Sequence, residues 1–292
     1  MKNNNLIFGT AKMGLPNYAN NNNFNRLFKD SNSDILDFLH ENGILKLDSA
    51  ERYGDSHNLI GIFNQNKNKC FSVSTKVDNL IANDKNASKR LQKFAHTTIN
   101  MLNVDKLDIL YLHQNDTKII NDPYILEGIE ELKSRNLINN SGISIYTEEE
   151  LVLGLEKESF DYIQIPVSLY DSFLYDKILS QYNGSKVKFI GRSIFFRGFL
   201  FNHKSLDLKK FPDHHIFDEI NRTINQMEID LTDLTLSFLH QKSKLDSFIF
   251  SSSSIKNIEK ILNFKSKEKL QIPSKLLELS SQFKSWSDLR LH

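Results

Sequence analysis

Short runs of β-branched and aromatic residues alternate along the chain with longer amphipathic stretches, a rhythm typical of repeated strand–helix units. The strand-like runs share a length of five to eight residues and cover 6–11, 44–49, 71–77, 107–113, 141–146, 162–168, 186–193 and 247–251. The helical stretches between them cover 34–42, 56–64, 88–102, 123–135, 147–157, 172–182, a pair across 215–241, and 255–263. This order predicts eight βα units.

Eight such units in 292 residues predict an α/β fold, a (β/α)₈ TIM barrel that forms a single domain over residues 1–292. No linker-like stretch divides the chain. Two segments, near 12–32 and 195–214, exceed what a minimal barrel needs, and we expect them to form loops at the C-terminal rim. The tail near 273–292, with the single tryptophan Trp286, predicts an additional helix.

Composition narrows the class of partner. Lys and Arg number 37 against 36 Asp and Glu, so the near-zero net charge argues against nucleic acid or an anionic membrane surface as a partner and favours a small molecule. A single cysteine, Cys70, excludes a disulfide framework and a Cys-based zinc site, and we predict no metal site. No secretion signal and no run of about 18 apolar residues is visible, so we expect a cytoplasmic protein.

The glycine spacing argues against one common nucleotide fold. No two of the eleven glycines are separated by a single residue, so the G-x-G-x-x-G loop of Rossmann domains is absent. Any dinucleotide must therefore be bound in another way.

Polar residues stand at the ends of nearly all predicted strands, where a barrel places its active site. In strand order from the second to the eighth, they are Asp48, Lys76, His113, Ser144, Gln164, Arg192 with Ser193, and Ser251. The apolar barrel interior gives such groups no structural role, so we expect them to converge on one functional site.

Three of these segments resemble motifs of the aldo-keto reductase family. Residues 47–54, LDSAERYG, resemble its D-x-A-x-x-Y-G element, residues 74–76, STK, its lysine motif, and residues 111–113, YLH, its histidine motif. The resemblance spans about 6–262 and is to bacterial members of the type associated with surface-polysaccharide and nucleotide-sugar pathways. It implies a catalytic tetrad of Asp48, Tyr53, Lys76 and His113.

The resemblance implies a role for each tetrad residue. Tyr53 is the general acid, and the neighbouring ammonium of Lys76 lowers the cost of releasing its proton. Asp48 pairs with Lys76 and holds it charged. His113 donates a hydrogen bond to the substrate carbonyl and orients it for hydride transfer.

The resemblance also implies a nicotinamide cofactor, for which we predict NADPH while leaving NADH open. The start of the helix that follows the eighth strand, rich in serine and free N–H groups, suits a phosphate. By the same resemblance, Gln164 binds the carboxamide, and Arg192 stands where an aromatic residue commonly stacks on the nicotinamide, so we expect its planar guanidinium to stack there. The predicted cofactor-binding residues are Gly9, Thr10, Asp48, Ser144, Gln164, Arg192, Ser193, Ser251, Ser252, Ser253 and Lys256.

The leading hypothesis is therefore reduction of a polar aldehyde or ketone, a sugar or a nucleotide sugar. Two alternatives remain open: a lyase or epimerase that uses Tyr53 with a bound nucleotide, and a regulatory subunit that senses the cofactor. Phe195, Phe196 and Phe199 fit either a pocket wall or the core. The polar rim residues that favour a hydroxylated substrate are Tyr18, Arg52, Gln114, Asn115, Tyr146 and Arg197.

Overall fold

The computed structural model describes residues 5–15, 30–114, 116–182, 186–201, 214–264 and 270–282. Within these residues, eight parallel strands pair in chain order, and the last strand pairs with the first to close a barrel. The strands are β1 (Leu6–Gly9), β2 (Lys46–Asp48), β3 (Ser72–Val77), β4 (Leu107–Leu112), β5 (Ile138–Ser144), β6 (Tyr162–Pro166), β7 (Lys188–Arg192) and β8 (Leu245–Phe250). The predicted (β/α)₈ barrel is confirmed.

The helices of the described residues surround the barrel. They are α1 (Ala11–Gly14), α2 (Asn32–Glu41), α3 (Ser56–Asn66), α4 (Ala87–Leu102), α5 (Thr117–Ile120), α6 (Pro123–Ser134), α7 (Glu148–Glu156), α8 (Phe173–Gln181), α9 (His214–Asn225), α10 (Leu231–His240), α11 (Ile255–Leu262) and α12 (Ser274–Gln282). A 3₁₀ turn covers Phe196–Phe201. The sequence did not predict α1 and α5, because four residues are too few to show a helical period.

Some residues and segments named in the sequence analysis lie outside the described residues. They are Tyr18, Asn115, Trp286 and the segments 16–29, 202–213 and 283–292. The helix predicted after residue 273 is present as α12, which packs against α8 and α9 on the outside of the barrel.

Two strands begin earlier than their sequence predicts. β5 begins at Ile138 rather than 141, and β8 begins at Leu245 rather than 247. The sequence pattern missed both strand starts because Asn139 and Asp246, near the N-terminal ends of their strands, are polar and exposed. Asp246 has a structural use there, because its carboxylate accepts a hydrogen bond from the backbone of Phe189 at 2.9 Å.

Alternation along each strand divides the buried residues into two groups. Outward-facing side chains pack against the helices in one extended core, whereas a small second cluster fills the inside of the barrel. That inner cluster consists of Ile7, Ile109, Tyr111, Ile190 and Ile249. Tyr111, the largest member, packs against Gly142, where a Cβ would lie only 2.7 Å from the Tyr111 ring. Above this apolar layer, the same inward alternation brings polar residues to the C-terminal mouth.

The side chain of Asp122 links the start of α6 to the loop before α4 through three backbone amides. Its buried carboxylate accepts hydrogen bonds from Tyr124 and Ile125 at 3.0 Å each, which caps α6, and from Asn83 at 2.5 Å. We expect Asp122→Ala to lower the free energy of unfolding by about 2 kcal/mol, because these amides lose their partner. Urea denaturation measures the loss. The matched control is Asp116→Ala, which removes the exposed cap of α5 and its bond to Lys118; equal losses would contradict the argument.

Candidate active site

A cavity of about 480 Å³ opens at the C-terminal ends of the strands and has the size of a small-molecule site. Most of the residues predicted from the sequence meet there. Those that line it are Gly9, Asp48, Tyr53, Lys76, His113, Ser144, Arg192, Ser193, Ser251, Ser252 and Ser253.

A buried ion pair lies at the floor of this cavity. The ammonium of Lys76 contacts the Asp48 carboxylate and also donates to the backbone carbonyl of Ser49 at 2.9 Å. The other oxygen of Asp48 accepts a hydrogen bond from Gln164 Nε2 at 2.7 Å. Burial lowers the pKa of Lys76, and the nearby Asp48 carboxylate opposes that shift. The pair is therefore desolvated yet supplied with hydrogen bonds, which holds the ammonium in one place.

Tyr53 lies beside the ion pair on the loop that follows β2. The Nζ atom of Lys76 is 5.3 Å from the centre of the Tyr53 ring, and this ring stands perpendicular to that of His113 at 6.1 Å. Two glycines set the position of the loop. A Cβ on Gly14 would lie 1.7 Å from the carbonyl oxygen of Tyr53, and Gly54 has a left-handed φ of +51°. The close approach of α1 to this loop fixes where the tyrosine enters the cavity.

His113 is held by a carboxylate that the sequence analysis missed. Its Nδ1 lies 2.8 Å from Oδ2 of Asp78, a fully buried residue whose Oδ1 is 2.8 Å from Nε of Arg52. Burial lowers the pKa of His113, while its hydrogen bond to Asp78 acts in the opposite direction. Asp78 follows Lys76 by two residues, a spacing that places both on the same side of an extended chain, and this was the available signal.

A layer of hydroxyl groups supports the ion pair from below. Thr10 donates to the backbone carbonyl of Asp48 at 3.1 Å and accepts from Ser56 at 2.7 Å, and the hydroxyl of Ser56 lies 3.0 Å from that of Ser49. Thr10 therefore lies beneath the cavity rather than in its lining. These bonds tie the start of α3 to β1 and β2, the strands that carry the site.

Next to this layer, His57 stays uncharged. Its Nε2 lies 2.9 Å from the hydroxyl of Thr75, and burial, together with the positive charge of Lys76, lowers the pKa of His57 to about 4. A neutral imidazole at this position adds no second positive charge beside Lys76.

The guanidinium of Arg192 is fixed at the opposite wall. Its Nε donates to the hydroxyl of Ser144 at 3.1 Å, and its Nη2 donates to the carbonyl of Ile145 at 2.7 Å. The guanidinium carbon lies 4.0 Å from the centre of the Tyr146 ring. The group therefore presents a rigid planar cation to the cavity. Its stacking on a nicotinamide, and the contact of Gln164 with a carboxamide, stay predictions.

The phenylalanines after β7 divide between the cavity and the core. Phe195 lines the cavity, whereas Phe196 and Phe199 are buried. Phe196 has a left-handed φ of +48°, which is strained for a bulky side chain, and its ring packs against Tyr170 and Phe217 at 5.0 and 5.7 Å. That aromatic packing holds the strained turn and so shapes the cavity rim.

The start of α11 differs in detail from what the sequence suggests. Lys256 is exposed and outside the cavity lining, whereas Lys260, one turn further along, lines the cavity with Nζ 2.6 Å from Asp230 Oδ2. The backbone N–H of Ile255 donates to Asp30 Oδ2 at 2.8 Å. The binding of an adenosine phosphate by Lys256 stays a prediction.

The charge of the lining is unbalanced. Five of the described lining residues are basic and two are acidic: Lys12, Lys76, Arg192, Arg197 and Lys260 against Asp48 and Asp230. Such a surface favours an anionic ligand. Among the described residues, no group of three or more His, Cys, Asp or Glu side chains is arranged to hold a metal ion. None of the described helices combines the length and apolar character that crossing a bilayer requires.

Removing the cation of the ion pair should be costly. We expect Lys76→Met to lower the free energy of unfolding by about 3–5 kcal/mol, because it leaves Asp48 as a buried, unpaired carboxylate. The double variant Asp48→Asn/Lys76→Met should recover part of this loss. Lys69→Met, which breaks an exposed pair with Asp105, should cost less than about 1 kcal/mol. Urea denaturation measures the free energy of unfolding of all three variants. Similar losses for Lys76→Met and Lys69→Met would refute the inference that the Asp48–Lys76 pair is buried and costly to break.

Comparison with known proteins identifies the family and the fold. The sequence profile of the aldo/keto reductase family matches residues 5–274. The fold is similar to that of an aldo-keto reductase from Bacillus halodurans in its holo form, with a TM-score of 0.70 and 18% identity over 94% of this chain and 91% of the other. It is also similar to that of a glycerol dehydrogenase from Gluconobacter oxydans, with a TM-score of 0.67 and 15% identity over 98% and 90%. No curated protein matches in sequence. The chain belongs to the aldo/keto reductase family.

Proposed function

We propose that this protein reduces a polar, sugar-like aldehyde or ketone with Tyr53 as the general acid and NADPH as the hydride source. Family membership supports NAD(P)H-dependent carbonyl reduction in general. The observation that carries the proposal is the buried Asp48–Lys76 pair, which lies against Tyr53 in the cavity that His113 also lines.

Proton donation is the task of Tyr53. A tyrosine hydroxyl with an ordinary pKa near 10 is a weak acid at neutral pH. The ammonium of Lys76 stabilises the phenolate that remains once the carbonyl oxygen has taken the proton. Asp48 keeps that ammonium charged and in place despite its burial. The arrangement therefore favours the transition state, in which negative charge develops on the oxygen.

A nicotinamide dinucleotide fits the remaining lining. The cavity extends from the tetrad to Asn257 and Lys260 on α11, and its basic residues outnumber its acidic ones. At the end of β8, the buried hydroxyl oxygen of Ser251 has no hydrogen-bond partner among the described residues, so it is available to a ligand. When bound, the dinucleotide supplies the hydride that adds to the carbonyl carbon.

The chain's own residues divide the binding between two ends of the cavity. Ser144, Arg192 and Ser193 would hold the nicotinamide end, beside the tetrad. The serines that follow β8 and the cation of Lys260 would hold the adenosine end. Lys12, Tyr146 and Arg197 add polar groups to the lining, which favours a hydroxylated substrate over an apolar one.

The acid role has a direct test. We expect Tyr53→Phe to lower kcat/KM at least about a hundredfold for an aldehyde that the wild-type protein reduces. The ring remains in this variant, but the proton donor is lost. Nucleotide affinity, measured by isothermal titration, should stay within a few fold. Tyr124→Phe on α6, outside the cavity lining, is the matched control and should retain full turnover. Near wild-type turnover of Tyr53→Phe would show that another group donates the proton.

Turnover measurements with an aldehyde and NADPH also distinguish the reductase from the alternative functions. A lyase or epimerase would convert its substrate without net oxidation of the nucleotide, whereas a sensing subunit would bind the nucleotide and turn over no aldehyde. Net oxidation of NADPH that matches alcohol formation supports the reductase.

The choice of nucleotide also has a matched pair of variants. We expect Lys260→Ala to weaken NADPH more than NADH by roughly ten- to a hundredfold, the scale of one charge-assisted hydrogen bond to the 2′-phosphate. Lys256, which the sequence predicts to bind the cofactor, lies on the same helix but outside the lining, and Lys256→Ala is the matched comparison. Isothermal titration measures the affinity of both variants for NADPH and for NADH. Selective loss in Lys256→Ala would instead support the residue chosen from the sequence, and equal losses in Lys260→Ala would remove Lys260 from nucleotide discrimination.

A further inference from the structure

Arg192 is a buried cation of the cavity lining that is held by uncharged groups. It is 8% exposed, and its guanidinium donates to the hydroxyl of Ser144 at 3.1 Å and to the carbonyl of Ile145 at 2.7 Å. Among the described residues, no ion pair connects Arg192 to a carboxylate, whereas Lys76, a second buried cation of the lining, contacts Asp48. The two hydrogen bonds therefore fix the guanidinium in place but leave its charge uncompensated.

The positive charge of Arg192 reaches the catalytic tetrad. Burial lowers the pKa of Lys76 and that of His113, and the charge of Arg192 adds to both shifts. Lys76 lies on β3 and His113 directly follows β4, whereas Arg192 ends β7 on the other side of the cavity. A carbonyl held by Tyr53 and His113 therefore lies within the field of Arg192, and so does the ring that transfers a hydride to that carbonyl.

Only part of this charge is offset by the groups behind it. Asp171, on the loop after β6, is buried, and burial raises the pKa of its carboxyl to about 7. The N–H of Phe173 and the charge of Arg192 both oppose that rise. Near neutral pH this carboxyl is ionised in only a fraction of the molecules, so it cannot cancel a guanidinium that is always charged. The ring of Tyr146, 4.0 Å from the guanidinium carbon, contributes no charge.

Carbonyl reduction changes the charge of a nicotinamide ring. The ring gives a hydride, and with it two electrons, to the carbonyl carbon and changes from uncharged to cationic. The carbonyl oxygen takes a proton from Tyr53, which regains one from solvent, so the alcohol product is uncharged. After the reaction, a cationic ring thus lies in the field of a fixed guanidinium. Like charges repel most strongly where water is excluded.

We propose that Arg192 makes the cavity select the reduced nucleotide over the oxidised one, so that the protein loads NADPH from a mixed pool and releases the oxidised product readily. This rests on the proposed function. Arg192 does not change the overall equilibrium between aldehyde and alcohol, which the substrate and product determine. It changes which form of the nucleotide occupies the site, because only the oxidised ring meets a like charge.

The affinities for NADPH and NADP⁺ test this selection without any substrate. We expect isothermal titration to show tighter binding of NADPH to the wild-type protein. Arg192→Gln keeps a hydrogen-bond donor but loses the charge, and should reduce the ratio of the two dissociation constants about tenfold, mainly by strengthening NADP⁺ binding. Arg192→Lys keeps a cation without the planar guanidinium and should preserve the preference.

Lys260→Ala is the matched control, because it removes a cation from the same lining at the adenosine end. It should change the affinities for NADPH and NADP⁺ by the same factor and leave their ratio as it is. An unchanged ratio in Arg192→Gln, or loss of the preference in Arg192→Lys, would overturn the role of charge. Equal affinity of the wild-type protein for both forms would also overturn the proposal. If no nicotinamide nucleotide binds, the proposed function fails together with it, whereas the expected ratios in a protein that reduces no aldehyde would refute the proposed function alone.

Discussion

The ion pair between Asp48 and Lys76 is the interaction on which the rest of the site depends. Two charges removed from water cost several kcal/mol each, and their attraction repays this only where the remaining hydrogen-bonding capacity is satisfied. Gln164 and the carbonyl of Ser49 supply that capacity. The result is a fixed ammonium beside Tyr53 in a region of low dielectric, where its influence on a nearby proton is strongest.

The barrel explains how these partners come together. Asp48, Lys76 and Gln164 come from three different strands, β2, β3 and β6, and their side chains point inward because side chains alternate along a strand. A slip of one residue in any strand would turn its polar group outward and bring an apolar residue into the cavity. The closed register from β1 to β8 is thus a condition for the chemistry as well as for the fold.

The surrounding charges serve different purposes. His57 is neutral beside Lys76, so it adds no positive charge of its own next to the buried ammonium. Asp78 contacts Nδ1 of His113 at 2.8 Å and so holds the imidazole in one orientation. Towards α11, Lys260 extends the basic surface to the far end of the cavity, although Asp30 and Asp230 reduce its net charge.

The sequence by itself determined the architecture, and its resemblance to the aldo-keto reductase family predicted the residues of the tetrad. Alternating strand and helix patterns reveal eight βα units, and polar residues at strand ends stand out against an apolar background. Short motifs are readable because their members, such as Asp48 and Tyr53, lie within a few residues of each other. The strand and helix patterns are local, so hydrophobic periodicity suffices to find them, whereas the tetrad was predicted from the resemblance of its motifs to those of the family.

Only the tertiary structure decided which distant groups meet. Asp78 and His113 are 35 residues apart, and Asp30 reaches the start of α11 across 225 residues. Which of two lysines on α11 faces the cavity depends on how that helix packs against the barrel, and both lysines look alike in the sequence. Sequence patterns report which face of an element is apolar, but partners across the barrel are set by its closure, because strand register and helix rotation bring their side chains within hydrogen-bond distance.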